Sequence, residues 1–241
     1  MKRSPTLLLS LTVMLFVLLS ASKCTGKQVK TAEDEASELY SEALHFQKGG
    51  DLHNALKYYT LSIEKDSSKS DVFNNRGSVR ESLLDSVGAL NDYLTAIRLD
   101  SNNVVALNNT GMIYIKGHQF KQAEKYLLKS IAADSLYANS YYNLGLIFYE
   151  AQQYAKAIKY FLFVEKLEKS MNKRYKRERI FNYIISDYYT MRAFSYYFLG
   201  LCYKRMGNIE KAVDYLRLAE EENVTGAADS LKTITQKETV A

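Results

Sequence analysis

Few residues of this chain have the types and spacing that catalysis requires. The histidines are His45, His53 and His118, and no two of them stand four residues apart, as a helical metal-binding pair requires. The sequence has no G-x-S-x-G nucleophile motif and no glycine-rich phosphate loop. We therefore expect a protein without catalytic activity, metal or cofactor.

The N-terminus has the pattern of an export signal, which we assign to residues 1–22. Lys2 and Arg3 precede an apolar run from Leu7 to Leu19, and small residues follow this run. The run is shorter than the roughly 20 residues that cross a bilayer as a helix. An uncleaved membrane anchor is the alternative interpretation.

The two cysteines have different surroundings. Cys24 resembles the lipid-bearing cysteine of bacterial lipoproteins, but Lys23 precedes it and Ala21, instead of leucine, stands three residues before it. Cleavage after Ser22 without lipidation is the competing interpretation. Cys202 lies inside an apolar helical pattern, where a buried thiol without a disulfide partner is expected.

Positive charge is concentrated in residues 172–192. This stretch has six Lys/Arg and two Asp/Glu, whereas the whole chain has a net charge of +5. The rest of the chain is close to neutral, which argues against nucleic acid as a partner. Five of the cations form a predicted basic patch: Lys173, Arg174, Lys176, Arg177 and Arg179. Either the charges of this patch are simply solvated, or the patch docks an acidic protein surface or anionic lipid headgroups.

The chain on either side of this stretch is built from copies 34 residues long. Small residues recur at one position of each copy: Ala43, Gly77, Gly111, Gly145 and Gly200. Alanines recur twelve residues later: Ala55, Ala89, Ala123, Ala157 and Ala212. Bulky residues follow after four more: Tyr59, Tyr93, Leu127, Phe161 and Leu216. Each copy has two amphipathic stretches of helical period, which are marginal alone and stable when stacked.

This pattern resembles the tetratricopeptide repeat. The large apolar residue four positions before each small one also matches: Leu39, Phe73, Leu107, Tyr141 and Tyr196. The resemblance implies an all-α fold, a right-handed α-solenoid of five helix pairs with a helical insertion before the last. The family's closing proline is absent. Ser67, Ser101 and Ser135 stand there instead, each after an aspartate, and both residue types favour helix starts and turns.

The repeat boundaries divide the chain into segments. They are a polar tether over 23–35, four repeats over 36–69, 70–103, 104–137 and 138–171, the insertion over 172–192, a fifth repeat over 193–226 and a C-terminal capping helix over 227–241. Paired apolar residues every four positions predict one long helix from about Glu178 to Arg205. Either a neighbouring helix covers its aromatic face, or the extension docks a partner.

The resemblance also implies a binding surface, because family members usually bind ligands along the concave face made by the first helices. Carried over position by position, this gives a predicted partner-binding set: Tyr40, Asn74, Asn108, Met112, Tyr142, Tyr149 and Tyr197. Tyrosine and asparagine suit an extended peptide, since rings supply contact area and amides pair with its backbone. The family's Lys/Asn carboxylate clamp is not reproduced, because Tyr40 and Leu44 occupy its first positions. The alternative is that these residues pack inside a tight superhelix.

We therefore expect a non-catalytic scaffold or assembly factor that binds a protein or peptide. Its expected location is the bacterial envelope, either periplasmic or attached to a membrane through the N-terminal signal or a lipid. A structural subunit docked through residues 172–192 is the alternative function.

Overall fold

The computed structural model describes residues 30–167, 170 and 181–238. This part of the chain is all-helical and contains no strand. Its helices are α1 Ala32–Lys48, α2 Leu52–Lys65, α3 Ser70–Ser82, α4 Ser86–Leu99, α5 Val104–Lys116, α6 Phe120–Ala133, α7 Ala138–Glu150, α8 Tyr154–Lys166, α9 Phe181–Arg205, α10 Ile209–Glu221 and α11 Ala227–Glu238. Each helix packs on the next along the chain, which makes the α-solenoid that the repeat pattern predicts.

The small and bulky repeat positions meet inside each helix pair. A methyl group added to Gly77 would lie 2.7 Å from Cε1 of Tyr93, well inside the roughly 3.5 Å at which carbon atoms pack. Gly111 has the same relation to Leu127, where the added carbon would lie 2.8 Å from Cγ. Glycine therefore lets the two helices of a pair approach, and the bulky residue fills the space between them.

Aspartates close the repeats in place of proline. The carboxylates of Asp66, Asp100 and Asp134 each accept a hydrogen bond from the backbone N–H two residues later, at 2.8 to 3.0 Å. This local turn ends a second helix and redirects the chain into the next repeat. The serines that follow these aspartates are not the N-cap residues of the next helices, which are Lys69 and, in the later repeats, Asn103 and Tyr137.

The first helix begins earlier than the predicted tether allows. Thr31 and Asp34 form a capping box, in which the Thr31 hydroxyl accepts from the Asp34 N–H and the Asp34 carboxylate accepts from the Thr31 N–H. This exchange satisfies two backbone donors at the helix start. Residues 32–35 of the predicted tether are therefore the first turn of α1.

Helix α9 is longer than its repeat requires. It begins at Phe181, whereas the fifth repeat begins at 193, and residues 178–180 of the predicted helix lie outside the described residues. Tyr188 is buried against Tyr141, Val164 and Leu167, and its hydroxyl donates to the Glu165 carbonyl at 3.3 Å. At this point the aromatic face of the extension is covered by α7 and α8. Among the described helices, none combines the length and apolar character that a membrane crossing needs.

Candidate protein-binding surface

The first helices of consecutive repeats lie side by side. Residues 32–48, 70–82, 104–116, 138–150 and 193–205 form the surface that we call the first-helix surface. Side chains one repeat apart join its neighbouring helices. The Asn75 amide donates to the Tyr40 hydroxyl at 2.9 Å, and Lys116 pairs with Glu81 at 2.5 Å. This is the surface on which the sequence places a partner.

Two members of the predicted set are buried within this surface. Asn74 accepts a hydrogen bond from the Asn109 amide at 3.2 Å. Asn108 accepts from the Asn143 amide at 2.9 Å and is only 4% exposed. Their amide oxygens bind the next repeat, because a buried polar group needs a partner. For Asn74 and Asn108 the structure therefore corrects the predicted partner-binding role in favour of the stated alternative, because both pack between repeats.

The adjacent amides are the more accessible ones. Asn75 and Asn109 are half-buried, and each lies one residue after a buried asparagine. The sequence interpretation missed them because it followed only the preceding position of the repeat. The Asn-Asn pairs at 74–75 and 108–109 could have indicated them, because the second asparagine of each pair recurs at the same repeat position.

Aromatic side chains of α7 and α9 form the apolar part of this surface, which we call the aromatic cluster: Tyr142, Tyr149, Phe194 and Phe198. The Tyr142 ring lies 6.3 Å from Phe194 and 6.1 Å from Phe198, and Tyr149 lies 5.1 Å from Phe198. These are the spacings of favourable edge and tilted ring pairs. Phe194 is 39% exposed. The two phenylalanines were not predicted, since they occupy positions that are aromatic only in the fifth repeat.

The tyrosines of the cluster are neutral hydrogen-bond donors. Burial raises the pKa of Tyr142 to about 12. Burial also raises the pKa of Tyr149, although the nearby Arg205 opposes the rise through its charge and a hydrogen bond. Both hydroxyls thus stay protonated at neutral pH. Neutral phenols beside apolar rings suit binding of a polypeptide better than proton transfer.

The remaining predicted residues are placed differently. Tyr40 is half-buried, with its ring 5.9 Å from Tyr59, and Met112 is half-buried on α5. Tyr197 packs against the core that joins α10 and α11, beside Leu216 and Leu231. All three keep part of their surface accessible, so their role in binding a partner stays a prediction.

Two predicted sites fall outside the described residues. These are the N-terminal signal with Cys24 and the basic patch of Lys173, Arg174, Lys176, Arg177 and Arg179. Cys202 lies in the described part, where it is buried in the core between α8, α9 and α10, and burial raises the pKa of its thiol to about 12. Across the described residues, no three His, Cys, Asp or Glu side chains converge as a metal site.

Comparison with known proteins identifies the repeat. Sequence models of the tetratricopeptide repeat match residues 108–162 and 195–223. These two segments thus contain tetratricopeptide repeats, which generally serve as non-catalytic protein-interaction modules. A sequence search of curated proteins gives no match.

Several solved structures share the fold. MamA from Desulfovibrio magneticus RS-1 superposes with a TM-score of 0.62 at 19% identity, covering 80% of this chain and 98% of that one. YrrB, described as a TPR protein with an unusual peptide-binding site, has a TM-score of 0.57 at 20% identity over 82% of this chain and 92% of its own. PilF of Pseudomonas aeruginosa has a TM-score of 0.55 at 20% identity over 86% and 100%. At these identities the likeness shows a common fold.

Proposed function

We propose that this protein is a scaffold or assembly factor of a bacterial envelope, and that a partner segment binds along the first-helix surface over α7 and α9. The observation that carries this proposal is the aromatic cluster. Phe194 and the tyrosine rings beside it are only partly covered by the fold itself. Rigid aromatic side chains supply large contact areas at little conformational cost, which is why they are enriched at interfaces.

Polar groups on the first helices of the second and third repeats suit a peptide main chain. The half-buried amides of Asn75 and Asn109 each keep hydrogen-bonding capacity that the repeat contacts do not use. An extended peptide presents N–H and C=O groups along its length, and such amides can pair with them. The peptide-binding site described for YrrB, which has the same fold, is consistent with a ligand of this kind.

The envelope location rests on the sequence of the N-terminus. The basic start, apolar run and small residues of 1–22 favour export, and Cys24 is placed where a lipid would attach the protein to a membrane. Periplasmic release after cleavage and membrane attachment through signal or lipid are the two arrangements that follow.

Affinity capture from an envelope extract tests the binding surface. The full chain is compared with Phe194→Ala and Tyr142→Ala variants, and Phe163→Ala is the matched control. Phe163 is 42% exposed, like Phe194, but lies on the second helix α8 and stacks on Tyr141 at 4.3 Å. We expect one captured protein to be lost with the two cluster variants and kept with the control. Equal capture by all four proteins would place the binding surface elsewhere.

The alternative function, a structural subunit docked through residues 172–192, is favoured by the start of α9 ahead of its repeat. Deleting the stretch would remove the buried Tyr188, so the sharper variant replaces the five residues of the basic patch with glutamine. Loss of capture in this variant alone would favour docking through the extension. Vesicles of anionic and neutral lipid, tested with the same variant, separate a headgroup partner from a protein partner.

A further inference from the structure

A cavity of about 480 Å³ lies at the C-terminal end of the first-helix surface. Its walls are Tyr149 from α7 and Leu201, Lys204 and Arg205 from α9. Two of the four lining side chains are cations and a third carries a hydroxyl. The composition of the cavity therefore suits an anionic group next to the aromatic cluster.

A comparison of two repeat junctions explains why this cavity is positively charged. Lys116 is the last residue of α5 and reaches back one repeat to Glu81, at 2.5 Å. Arg205 is the last residue of α9 and has the same position in its repeat, and it lies beside Tyr149, the counterpart of Glu81. The earlier junction pairs a cation with a carboxylate, whereas this junction pairs a cation with a neutral phenol.

The second cation is held in place without being neutralised. The Lys204 ammonium donates to the Thr233 hydroxyl of α11 at 2.8 Å, and that hydroxyl donates to the Ser230 carbonyl at 2.7 Å. Within the described part of the chain, neither Lys204 nor Arg205 forms an ion pair with a carboxylate. Two positive charges and a phenolic donor thus share one concave site.

We propose that Tyr149, Lys204 and Arg205 bind a carboxylate of the partner segment. The proposal rests on the proposed function, because the site continues the first-helix surface from the aromatic cluster. The carboxylate belongs either to an Asp or Glu side chain or to the C-terminus of a chain. In both cases the cations supply charge-assisted hydrogen bonds to the carboxylate.

A purely structural role for the two cations makes a different prediction. Both lie in the last turn of α9, where positive charge interacts favourably with the helix dipole. If that were their whole role, substitution would lower the thermal midpoint and leave peptide affinity unchanged.

The test is a ¹⁵N NMR titration of the full chain in mild detergent with three short peptides. Ac-Gly-Gly-Glu-Gly-amide carries only a side-chain carboxylate, Ac-Gly-Gly-Gly carries only a terminal one, and Ac-Gly-Gly-Gln-Gly-amide carries none. Lys204→Gln and Arg205→Gln are compared with Lys116→Gln, whose cation already has a carboxylate partner. Backbone signals of residues 201–205 are followed.

We expect at least one acidic peptide to bind, with a Kd raised about fivefold or more in each cavity variant and changed less than twofold by Lys116→Gln. The stronger acidic peptide identifies the source of the carboxylate. Binding of the glutamine peptide with equal affinity, equal weakening by Lys116→Gln, or no binding of either acidic peptide would overturn the proposal.

The capture experiment separates this inference from the proposed function. If the cavity variants capture the partner as well as the unmodified chain does, and no acidic peptide binds, the carboxylate site is wrong and the scaffold function stands. If acidic peptides bind at the cavity but no protein is captured, the site stands and the scaffold function fails.

Discussion

Inside the helix pairs, the bulky residue of the second helix matches in polarity the first-helix residue that faces it. The Tyr59 hydroxyl donates to Gln47 at 2.5 Å, and the Tyr93 hydroxyl donates to Glu81 at 2.8 Å. In the third and fourth repeats the bulky residues are Leu127 and Phe161, and the facing positions are isoleucine and tyrosine. A hydroxyl thus appears only where the first helix supplies an acceptor, because a buried donor without a partner costs about 1–3 kcal/mol.

A double-mutant cycle at Tyr93 tests this matching. Tyr93→Phe should lower the free energy of unfolding by about 1 kcal/mol, since the partly buried hydrogen bond to Glu81 is lost. Glu81→Ile alone leaves the hydroxyl without its acceptor and should cost more. The double variant, which imitates the apolar third repeat, should be more stable than the sum of the single effects. Urea unfolding gives the three values, and strict additivity would show that the hydrogen bond contributes nothing.

At the scale of elements, the turns inside the helix pairs share one left-handed residue. Its φ is +81° at Gly50, +66° at Leu84, +55° at His118, +57° at Gln152 and +78° at Gly207. For residues other than glycine this conformation costs roughly 1–2 kcal/mol. Leu84 is also 89% exposed, so its side chain offsets little of that strain by packing.

Leu84→Gly should therefore stabilise the protein. The relief of strain exceeds the extra entropy of glycine in the unfolded chain, and the net gain should be up to about 1 kcal/mol. Gly50→Ala is the reciprocal control and should lower stability by a similar amount. Urea denaturation measures both, and destabilisation by Leu84→Gly would contradict the argument.

Helix caps give the stability of these elements a defined pH dependence. The Asn54 side-chain amide and backbone N–H both donate to Asp51 and hold its pKa below the ordinary value. The stability from ionised Asp51 is therefore complete above its unfolded pKa, about 3.9, and is lost as the pH falls through the lower folded pKa. Asp51→Asn keeps a capping oxygen but does not titrate.

The Asp51→Asn variant should lose less thermal stability than the unmodified chain when the pH falls from 5 to 3. The reciprocal change Asn208→Asp places a titrating group at the α10 cap, where the Asn208 oxygen now accepts from the Lys211 N–H, and should lose more. Calorimetry across this pH range measures both. Identical pH profiles for all three proteins would show that these caps do not contribute to acid unfolding.

For the whole molecule, the two thiols report on different regions. Cys202 is fully buried and burial raises its pKa to about 12, so little thiolate exists at pH 8. We expect it to react with DTNB only after denaturation. The DTNB reactivity of the native full chain therefore reports on Cys24. No reactive thiol is expected if Cys24 carries a lipid, and one reactive thiol per chain is expected if Cys24 is retained without a lipid. A Cys24→Ser variant that reacts in the native state would contradict the burial of Cys202.

Local interactions made much of the fold predictable. The 34-residue period, the small and bulky positions and the all-helical solenoid follow from contacts within one repeat, such as Gly77 against Tyr93. The start of α1 at Ala32 was not predicted. The capping box of Thr31 and Asp34 lies before the first repeat copy, so the repeat pattern does not reveal it.

The candidate site was likewise predictable only in part from the sequence. The sequence determined which first-helix positions carry tyrosine and asparagine, because those positions recur at a constant offset. Only the tertiary structure decided that Asn108 is buried while Asn109 is half-exposed, and that Phe194 lies beside Tyr142. Adjacent residues of a helix point about 100° apart, so the packing angle between neighbouring repeats selects which of them stays accessible.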